Sequence, residues 1–210
     1  MTIFEEELKE EIKNILDNVP ALFKYIDFKG GNELLKNSTL LIRNPSFFND
    51  PYDCFTGLIS FENIPDSYIT DLINKYYGYL NRNERREKIR NHIKYSKSDL
   101  TELFKNDFIQ KEKEYKGIAC FTRDPENLLM WSQYADSHQG ICIGFNLEKL
   151  YRNIKTLSYK EIALLNVKYT EKLEANNYFI DGKKAVINWL RTKSNSWKYE
   201  TLMTDFVRQR

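Results

Sequence analysis

The polar residues best placed for chemistry follow a short apolar run, Ile118 to Phe121, which has the composition of a buried strand. Thr122 and Arg123 come directly after it. Asp124 and Pro125 then mark a predicted helix start, since Asp caps free N–H groups and Pro is tolerated in the first turn. Such a junction suits a phosphate or another anion. Plain helix capping explains the same residues, so both interpretations stay open.

Three further candidates belong to the predicted helix and its end. Trp131 and Tyr134 fall mostly on one helical face, which is typical of a core stripe, and His138 lies just before Gly140, where the helix is predicted to end. The polar tips of Tyr134 and His138 could instead reach a site. A lone histidine is more often a structural residue than a general base, so the structural interpretation is favoured for His138.

A rigid loop supplies another set of polar groups. Asn49, Asp50 and Asp53 are spaced by Pro51 and Tyr52. Two carboxylates and an amide on such a loop could bind ribose hydroxyls, a base edge or a metal ion. Asn and Asp also close turns by bonding the nearby backbone, so the loop has an architectural explanation too.

Several site types are excluded by the sequence itself. It contains no Gly-x-x-x-x-Gly-Lys phosphate loop and no Gly-x-Gly-x-x-Gly fingerprint. With only His92 and His138, it cannot build a histidine-rich metal site, and no metal is expected. Cys54, Cys120 and Cys142 are odd in number and have apolar neighbours, which favours buried free thiols.

The overall composition predicts one well-packed domain over residues 1–210. Apolar residues make up 41% and charged residues 30% of the chain, with a net charge of +2 that says little about partners. No apolar segment approaches the roughly 20 residues needed to cross a bilayer, and the acidic start does not resemble an export signal. A cytoplasmic protein without a membrane partner is expected, and the oligomeric state is not determined.

The fold class predicted from these patterns is α+β (mixed α/β), with a twisted sheet of short strands flanked by helices. Gly30-Gly31 is interpreted as a break, and Asp181 to Tyr199 as one long helix. The other predicted elements are helices at Glu5–Leu16, Asn32–Leu35 and Leu147–Tyr151, with Asn146 as a cap, and strands at Leu22–Phe28, Thr39–Arg43, Ile141–Phe145 and Ile162–Tyr169.

Residues 64–116 are predicted to form a helical insertion, because long charged and aromatic side chains replace Gly and Pro there. Within it, residues 82–97 are locally basic. A nucleic-acid surface is one interpretation of this segment. A solvated helix face is favoured, since no stacking or sequence-reading motif accompanies the charge.

Five motifs occur in order along the chain: Leu22-Phe23-Lys24-Tyr25; Phe48-Asn49-Asp50-Pro51-Tyr52-Asp53; Cys120-Phe121-Thr122; Leu129-Met130-Trp131-Ser132-Gln133-Tyr134-Ala135 with His138 and Gly140; and Lys193 with Trp197, Tyr199 and Glu200. In order and spacing they closely resemble a bacterial family, domain-of-unknown-function family 2971. The motifs together cover most of the chain. The resemblance implies no established chemistry.

The chain also resembles, more distantly, ADP-ribosyltransferase-type folds. In those folds an early strand ends in a basic or polar residue, a middle strand ends in Ser or Thr, and a late element supplies a Glu. The matching positions are Lys24 or Tyr25, Thr122 and Glu200. The resemblance implies that NAD is a substrate and that the Glu stabilises an oxocarbenium-like transition state as nicotinamide departs.

One departure from the family pattern concerns the chain after Trp197. The pattern continues Trp-x-Tyr-Glu-x-Glu-x-Arg, and this chain has Leu202 at the second acid. If that acid is the catalytic one, the protein is a truncated or inactive form. A strand that should follow would then be missing, which would leave a sheet edge exposed.

The lead hypothesis is a nucleotide- or NAD-handling transferase of the toxin or phage-defence kind. The alternatives are a non-catalytic interaction module and a nucleic-acid-binding effector that uses residues 82–97. The predicted partner is a small nucleotide, and nucleic acid is not favoured. The predicted catalytic residues are Thr122, Tyr134 and Glu200, and the predicted ligand-binding residues are Lys24, Tyr25, Asn49, Asp50, Asp53, Arg123, Trp131 and His138.

Overall fold

The computed structural model describes residues 3–48, 52–95, 97–156, 161–195 and 203–209. The chain divides into two compact units. Unit 1 contains residues 1–55, 113–173 and 190–210, and unit 2 contains residues 56–112 and 174–189. The single domain with an insertion at 64–116 stays a prediction.

Helices and strands alternate along the chain, which confirms the predicted mixed α+β class. The helices are α1 (Ile3–Asn18), α2 (Phe28–Asn37), α3 (Asp66–Tyr76), α4 (Arg82–Tyr95), α5 (Lys97–Tyr115), α6 (Leu128–Tyr134), α7 (Leu147–Thr156), α8 (Tyr178–Asp181) and α9 (Lys183–Arg191). The strands are β1 (Ala21–Ile26), β2 (Ile59–Ser60), β3 (Lys116–Thr122), β4 (Ile141–Asn146), β5 (Glu161–Asn166), β6 (Lys168–Thr170), β7 (Asn176–Asn177), β8 (Thr192–Ser194) and β9 (Met203–Gln209).

An antiparallel sheet of five strands, in the order β4-β1-β3-β9-β5, forms the centre of unit 1. Strand β1 pairs with β4 along its whole length, from Ala21↔Asn146 to Ile26↔Ile141. It meets β3 only at Phe23↔Thr122. Beyond that pair β1 and β3 are not hydrogen-bonded to each other. The space between the two strands is called the gap below.

The main core of unit 1 packs the apolar stripes of α1 and α7 against the sheet. Leu22, Phe121, Leu147 and Leu164 are among the fully buried residues of this cluster. The apolar positions of each helix recur at helical spacing, which explains why these short amphipathic segments become helical once the sheet covers them. Burial of the central strand β3 on both faces follows from its run of apolar residues.

Strand β9 corrects one sequence prediction. The segment after Thr201 shows no clear pattern, and a strand was predicted to be missing there. Residues Met203–Gln209 instead form a central strand that pairs with both β3 and β5. The prediction of a missing strand and the exposed edge it would leave is wrong, because β9 is present and pairs on both sides.

The glycine pair does not break the chain as predicted. Helix α2 begins at Phe28 and runs through Gly30 and Gly31, with Asp27 as the N-cap that accepts a hydrogen bond from the Gly30 N–H at 2.7 Å. A Cβ atom on Gly31 would lie 2.1 Å from Cδ1 of Ile141. Glycine therefore allows α2 to approach β4 closely, and no helix begins at Asn32.

Three other predicted elements differ from the structure. Thr39 to Arg43 forms no strand and makes a single bridge, between Arg43 and Ile118. The strand predicted over Ile162–Tyr169 is divided into β5 and β6, which lie in different sheets. The long helix predicted from Asp181 is interrupted at Gly182, where φ is +53°, and ends at Arg191, because the next residues pair with β6.

Unit 2 is built around helices α3 and α4 and a cluster of aromatic rings. Ile64, Ile69 and Ile73 are buried, and Ile89 and Ile93 of α4 pack against them. Phe61 contacts the rings of Phe104, Phe108, Tyr178 and Phe179 at centroid distances of 5.1–6.2 Å. These contacts fix which face of α4 is turned to solvent. In the part of the chain that the structure describes, no helix combines the length and apolar content needed to span a membrane.

Candidate functional site

A cavity of about 460 Å³ opens in unit 1 where β1 and β3 part. That volume lies in the range of small-molecule sites. The cavity is lined by Phe23, Lys24, Tyr25, Ile26, Asp27, Gly30, Leu41, Arg43, Phe47, Phe48, Asp53, Ile118, Cys120, Phe121, Thr122, Met130, Gln133, Tyr134 and Lys193. Three of these side chains carry positive charge and two carry negative charge.

Lys24 reaches across the gap between the two strands. Its Nζ donates a hydrogen bond to the backbone carbonyl of Cys120 at 3.2 Å and lies 5.5 Å from the ring centre of Phe121. The Lys24 ammonium on β1 thus bonds the backbone of β3 where the two strands do not pair with each other. The residue predicted as ligand-binding lies in the cavity wall.

Arg43 is a cavity residue that sequence reasoning missed. Its backbone exchanges two hydrogen bonds with Ile118, at 3.0 and 2.8 Å, so its position beside β3 is fixed. The side chain is exposed, and its guanidinium makes no ion pair or hydrogen bond with the described residues. A cation held at its backbone with its head group unpaired is well suited to bind an anion.

Aromatic rings line the same cavity as Arg43. Pro45–Phe47 forms a 3₁₀ turn whose start is capped by Asn44, since Asn44 Oδ1 accepts from the Ser46 N–H at 2.8 Å. Phe47 is 71% exposed although it is a large apolar side chain. Phe47 and Phe48 both line the cavity. An exposed ring at a cavity mouth can stack on a flat ligand.

Tyr25 lines the cavity while its hydroxyl is engaged elsewhere. The hydroxyl donates to the carbonyl of Asp124 at 2.9 Å and accepts from the Asn127 N–H at 3.1 Å. Burial, the largest cause, raises the pKa of Tyr25 to about 12, and the nearby Cys142 adds to the rise. The phenol is therefore neutral at ordinary pH and supports the loop that follows β3.

The loop between β3 and α6 is organised by side chains that accept from its backbone. Thr122 Oγ1 accepts from the Asp124 N–H at 3.1 Å, and Asp124 Oδ1 accepts from the Glu126 N–H at 2.8 Å. The helix begins at Leu128, and Asn127 is its N-cap. The helix start predicted at Asp124 and Pro125 is wrong, because Asp124 closes a turn inside the loop instead.

Thr122 and Tyr134, both predicted to be catalytic, lie in the wall of the same cavity. Thr122 is 1% exposed and sits at the last contact between β1 and β3. Tyr134 ends α6, with Gln133 beside it as a further lining residue that sequence reasoning missed. Gln133 is exposed and carries an amide that can both donate and accept.

Three predicted ligand-binding residues are not among those that line the cavity. Arg123 Nη2 donates to Asn166 Oδ1 at 2.9 Å, and burial lowers its pKa. Trp131 Nε1 donates to the Pro125 carbonyl at 3.0 Å, and its ring packs edge-on against Tyr25 at 5.2 Å. His138 has a φ of +69° in the turn after α6. Their predicted ligand contacts stay predictions.

A buried ion pair closes one side of the cavity. Lys193 Nζ, on β8, lies 3.0 Å from Oδ1 of Asp53, and the two side chains are 6% and 9% exposed. In the sequence, only the family motif points to Lys193. The pair links the loop after residue 51 to β8, so a predicted ligand-binding carboxylate is already balanced by a cation.

The other predicted site residues, Asn49, Asp50 and Glu200, lie outside the described residues. The three cysteines form no disulfide, and Cys54 is buried, as expected, while Cys120 and Cys142 are half-buried. Among the side chains that the structure describes, no group of three or more His, Cys, Asp or Glu could hold a metal ion.

Residues 130–201 match the family model described as "Protein of unknown function (DUF2971)". The predicted resemblance to this family is confirmed over the matched residues. The matched segment begins in α6 and includes Tyr134 and Lys193, two residues of the cavity wall. No curated protein and no solved structure matches the chain. The likeness to ADP-ribosyltransferase-type folds stays a prediction.

Proposed function

We propose that the cavity between β1 and β3 binds a nucleotide and that the protein is a nucleotide- or NAD-handling transferase of the ADP-ribosyltransferase-like kind, a kind found in toxins and phage defence. The observation that supports this proposal best is the unpaired guanidinium of Arg43, held by its backbone on β3 at the mouth of the cavity. A nucleotide offers both the anion and the flat ring that this wall can accept.

The phosphate groups of the nucleotide would lie between Arg43 and Lys24. Guanidinium binds phosphate oxygens with two parallel hydrogen bonds, and an ammonium adds a point charge. Lys193 is close to the same wall, but Asp53 balances its charge. Arg43 therefore supplies the cation of this wall that has no described partner, while Lys24 also donates to the Cys120 carbonyl and Asp27 caps α2.

The base or nicotinamide ring would stack on Phe47, whose ring is exposed at the cavity. The amide of Gln133 can bond the edge of such a ring, because it supplies a donor and an acceptor side by side. Stacking on an aromatic side chain does not distinguish one flat base from another. Hydrogen bonds from the Gln133 amide would select the ring whose edge matches them.

The chemical step follows from the family of folds that the sequence resembles. The bond between nicotinamide and the ribose C1′ breaks, and nicotinamide leaves with the electron pair. A nucleophilic acceptor then bonds C1′ and loses a proton to solvent or to a base. Thr122 and Tyr134 would hold the nicotinamide ribose, and Glu200 would stabilise the positive charge that develops on the sugar.

Calorimetric titration with NAD and ADP-ribose tests the binding proposal. The expected result is saturable binding that Arg43→Gln weakens by about 10- to 100-fold, the value of a charge-assisted hydrogen bond to phosphate. Lys36→Gln is the matched control, because it removes one exposed positive charge on α2 away from the cavity lining. Absence of binding to both ligands, or equal losses in the two variants, would overturn the proposal.

The transferase proposal has a separate test. Glu200→Gln should leave NAD binding intact and lower the rate of nicotinamide release by about 100-fold, which is typical when one group that stabilises developing charge is lost. Thr122→Val tests the hydroxyl in the same way. A wild-type protein that binds NAD without releasing nicotinamide would refute the transferase and leave nucleotide binding in place.

A further inference from the structure

A row of exposed cations on α4 of unit 2 has no part in the cavity. Arg82, Arg86, Arg90 and Lys94 follow one another at a spacing of four residues, and all four are exposed. Side chains four residues apart are neighbours on a helix, at about 5–6 Å between Cβ atoms. The four cations therefore form one continuous ridge about 18 Å long.

The three arginines of the ridge make no ion pair or hydrogen bond with any residue that the structure describes. Neither Glu84 nor Glu87 of α4 forms an ion pair with these arginines among the described residues. Glu84 accepts from the Asn81 N–H at 3.0 Å as part of the N-terminal cap. Like charges at this spacing repel and destabilise a helix, so the three unpaired arginines are not explained by stability.

The apolar residues of α4 are anchored in the core of unit 2, and the four cations of the ridge stay exposed beside them. Ile89 and Ile93 pack against the buried isoleucines of the unit 2 core. Lys88 Nζ lies 4.4 Å from the ring centre of Tyr77. The apolar residues of α4 are therefore used in the core, unlike those of a membrane-surface helix, which keeps an apolar face for the lipid.

Exposed aromatic rings lie at the N-terminal end of the ridge. Tyr79, three residues before Arg82, is 78% exposed, and Tyr76 is 59% exposed with Lys75 Nζ 5.7 Å from its ring centre. Arg85 Nη1 donates to the carbonyl of Gly78 at 3.3 Å and ties this turn to α4. Solvent-facing tyrosines beside cations are the elements that proteins use to stack unpaired bases and follow a phosphate backbone.

We propose that this ridge binds single-stranded nucleic acid, with the backbone phosphates along Arg82, Arg86, Arg90 and Lys94 and bases stacked on Tyr79 and Tyr76. This binding goes beyond the nucleotide site in unit 1. Single-stranded RNA and DNA share the chemistry that the ridge recognises. Duplexes keep their bases stacked on one another and cannot use the tyrosines.

Fluorescence anisotropy with labelled single strands of about 12 nucleotides, as oligo-U and oligo-dT, tests the proposal. Four phosphate contacts predict a slope of about −2.8 for log affinity against log salt, or a fall of about 50-fold between 50 and 200 mM salt. The triple variant R82Q/R86Q/R90Q should reduce the slope by about 2. Its fold should be intact, because the changes relieve repulsion on an exposed face.

The matched control is the triple variant K13Q/K36Q/K149Q, which loses the same charge from three exposed positions in unit 1. It should bind like the wild type. Tyr79→Leu should weaken binding of single strands and leave the weaker binding of duplex DNA unchanged. Arg43→Gln should have no effect here, so failure of this proposal is distinguishable from failure of the nucleotide site.

Three results would overturn the proposal. The first is no binding of either single strand at low salt. The second is an equal loss of affinity in the control triple variant, which would show attraction by net charge alone. The third is binding to vesicles that contain phosphatidylserine without binding to single strands, which would assign the ridge to a membrane surface instead.

Discussion

The hydroxyl of Tyr25, on β1, donates a hydrogen bond to the carbonyl oxygen of Asp124 at 2.9 Å. The Tyr25 hydroxyl oxygen also accepts a hydrogen bond from the Asn127 N–H at 3.1 Å. One phenol thus holds both ends of the loop that connects β3 to α6, and it does so across the gap where the two strands part. Tyr25 therefore couples the loop to the cavity wall, alongside the bonds that Thr122, Asp124 and Trp131 make to the loop backbone.

Replacing Tyr25 by Phe should lower the free energy of unfolding by about 1–3 kcal/mol, because a backbone N–H and a carbonyl lose their partner together. Urea denaturation measures the change. Tyr76→Phe is the control, since Tyr76 is 59% exposed and should tolerate loss of its hydroxyl within about 0.5 kcal/mol. Equal effects of the two substitutions would show that the Tyr25 hydroxyl does not support the loop.

Alkaline pH should destabilise the protein partly through the same residue. Burial raises the pKa of Tyr25 from 10.0 to about 12, so the folded state favours the neutral phenol. That contribution is fully present below the unfolded pKa of 10 and is lost as the pH rises toward 12. Tyr68 behaves alike, since burial raises its pKa to about 12.

The measurement is the urea midpoint at several pH values between about 8 and about 11, for the wild type and for Tyr25→Phe. The wild type should lose more stability over this interval than the variant, because the variant has no phenol to ionise at position 25. Parallel curves for the two proteins would contradict the assignment of the raised pKa to Tyr25.

Gly140 is predicted to be intolerant of any side chain. A Cβ atom there would lie 2.3 Å from the carbonyl oxygen of Ile26 and 2.8 Å from Cα of Ala135, and neither backbone atom can move aside. Gly140→Ala should destabilise the protein by about 1–3 kcal/mol. Gly78→Ala, where the nearest atom is 3.2 Å away, is the control. Similar midpoints in thermal denaturation would refute the argument from close approach.

The buried pair of Asp53 and Lys193 should be costly to break. Lys193→Met leaves the Asp53 carboxylate 9% exposed without that ammonium, which typically costs about 3–5 kcal/mol. The double variant D53N/K193M should recover part of the loss, because the stranded charge is gone. Additive effects in this double-mutant cycle, measured by denaturation, would show that the two side chains are not coupled.

Local patterns predicted the elements whose partners are close in sequence. The strand at Ile141–Asn146 and the helix that follows it are correct, because alternating apolar residues precede Asn146, whose Oδ1 accepts from the Lys149 N–H at 2.9 Å. The same reasoning placed the start of α6 too early. Asp and Asn both cap helices, and only the structure shows that Asn127, not Asp124, bonds the first helical N–H groups.

Elements that depend on distant partners were not predictable from pattern. Strand β9 includes Asp205 and Arg208, which break the expected alternation, yet it pairs with strands on both sides. Tertiary pairing overrides weak local preference in such a strand. The end of α9 at Arg191 has the same cause, because Thr192 to Ser194 pair with β6.

The candidate site was predicted in part. Lys24, Tyr25, Asp53, Thr122 and Tyr134 come from separate segments and line one cavity. Arg43 carries no motif of its own, and its importance arises only from its bridge to Ile118, far along the chain. Sequence spacing cannot show which exposed arginine is held against a distant strand.

The most direct test of the nucleotide site is a crystal structure of the protein grown with saturating ADP-ribose. The ligand should lie in the cavity between β1 and β3, with its diphosphate hydrogen-bonded to the Arg43 guanidinium and a ring stacked on Phe47. An empty cavity at a concentration that saturates binding in solution, or a ligand bound elsewhere, would contradict the proposed nucleotide site.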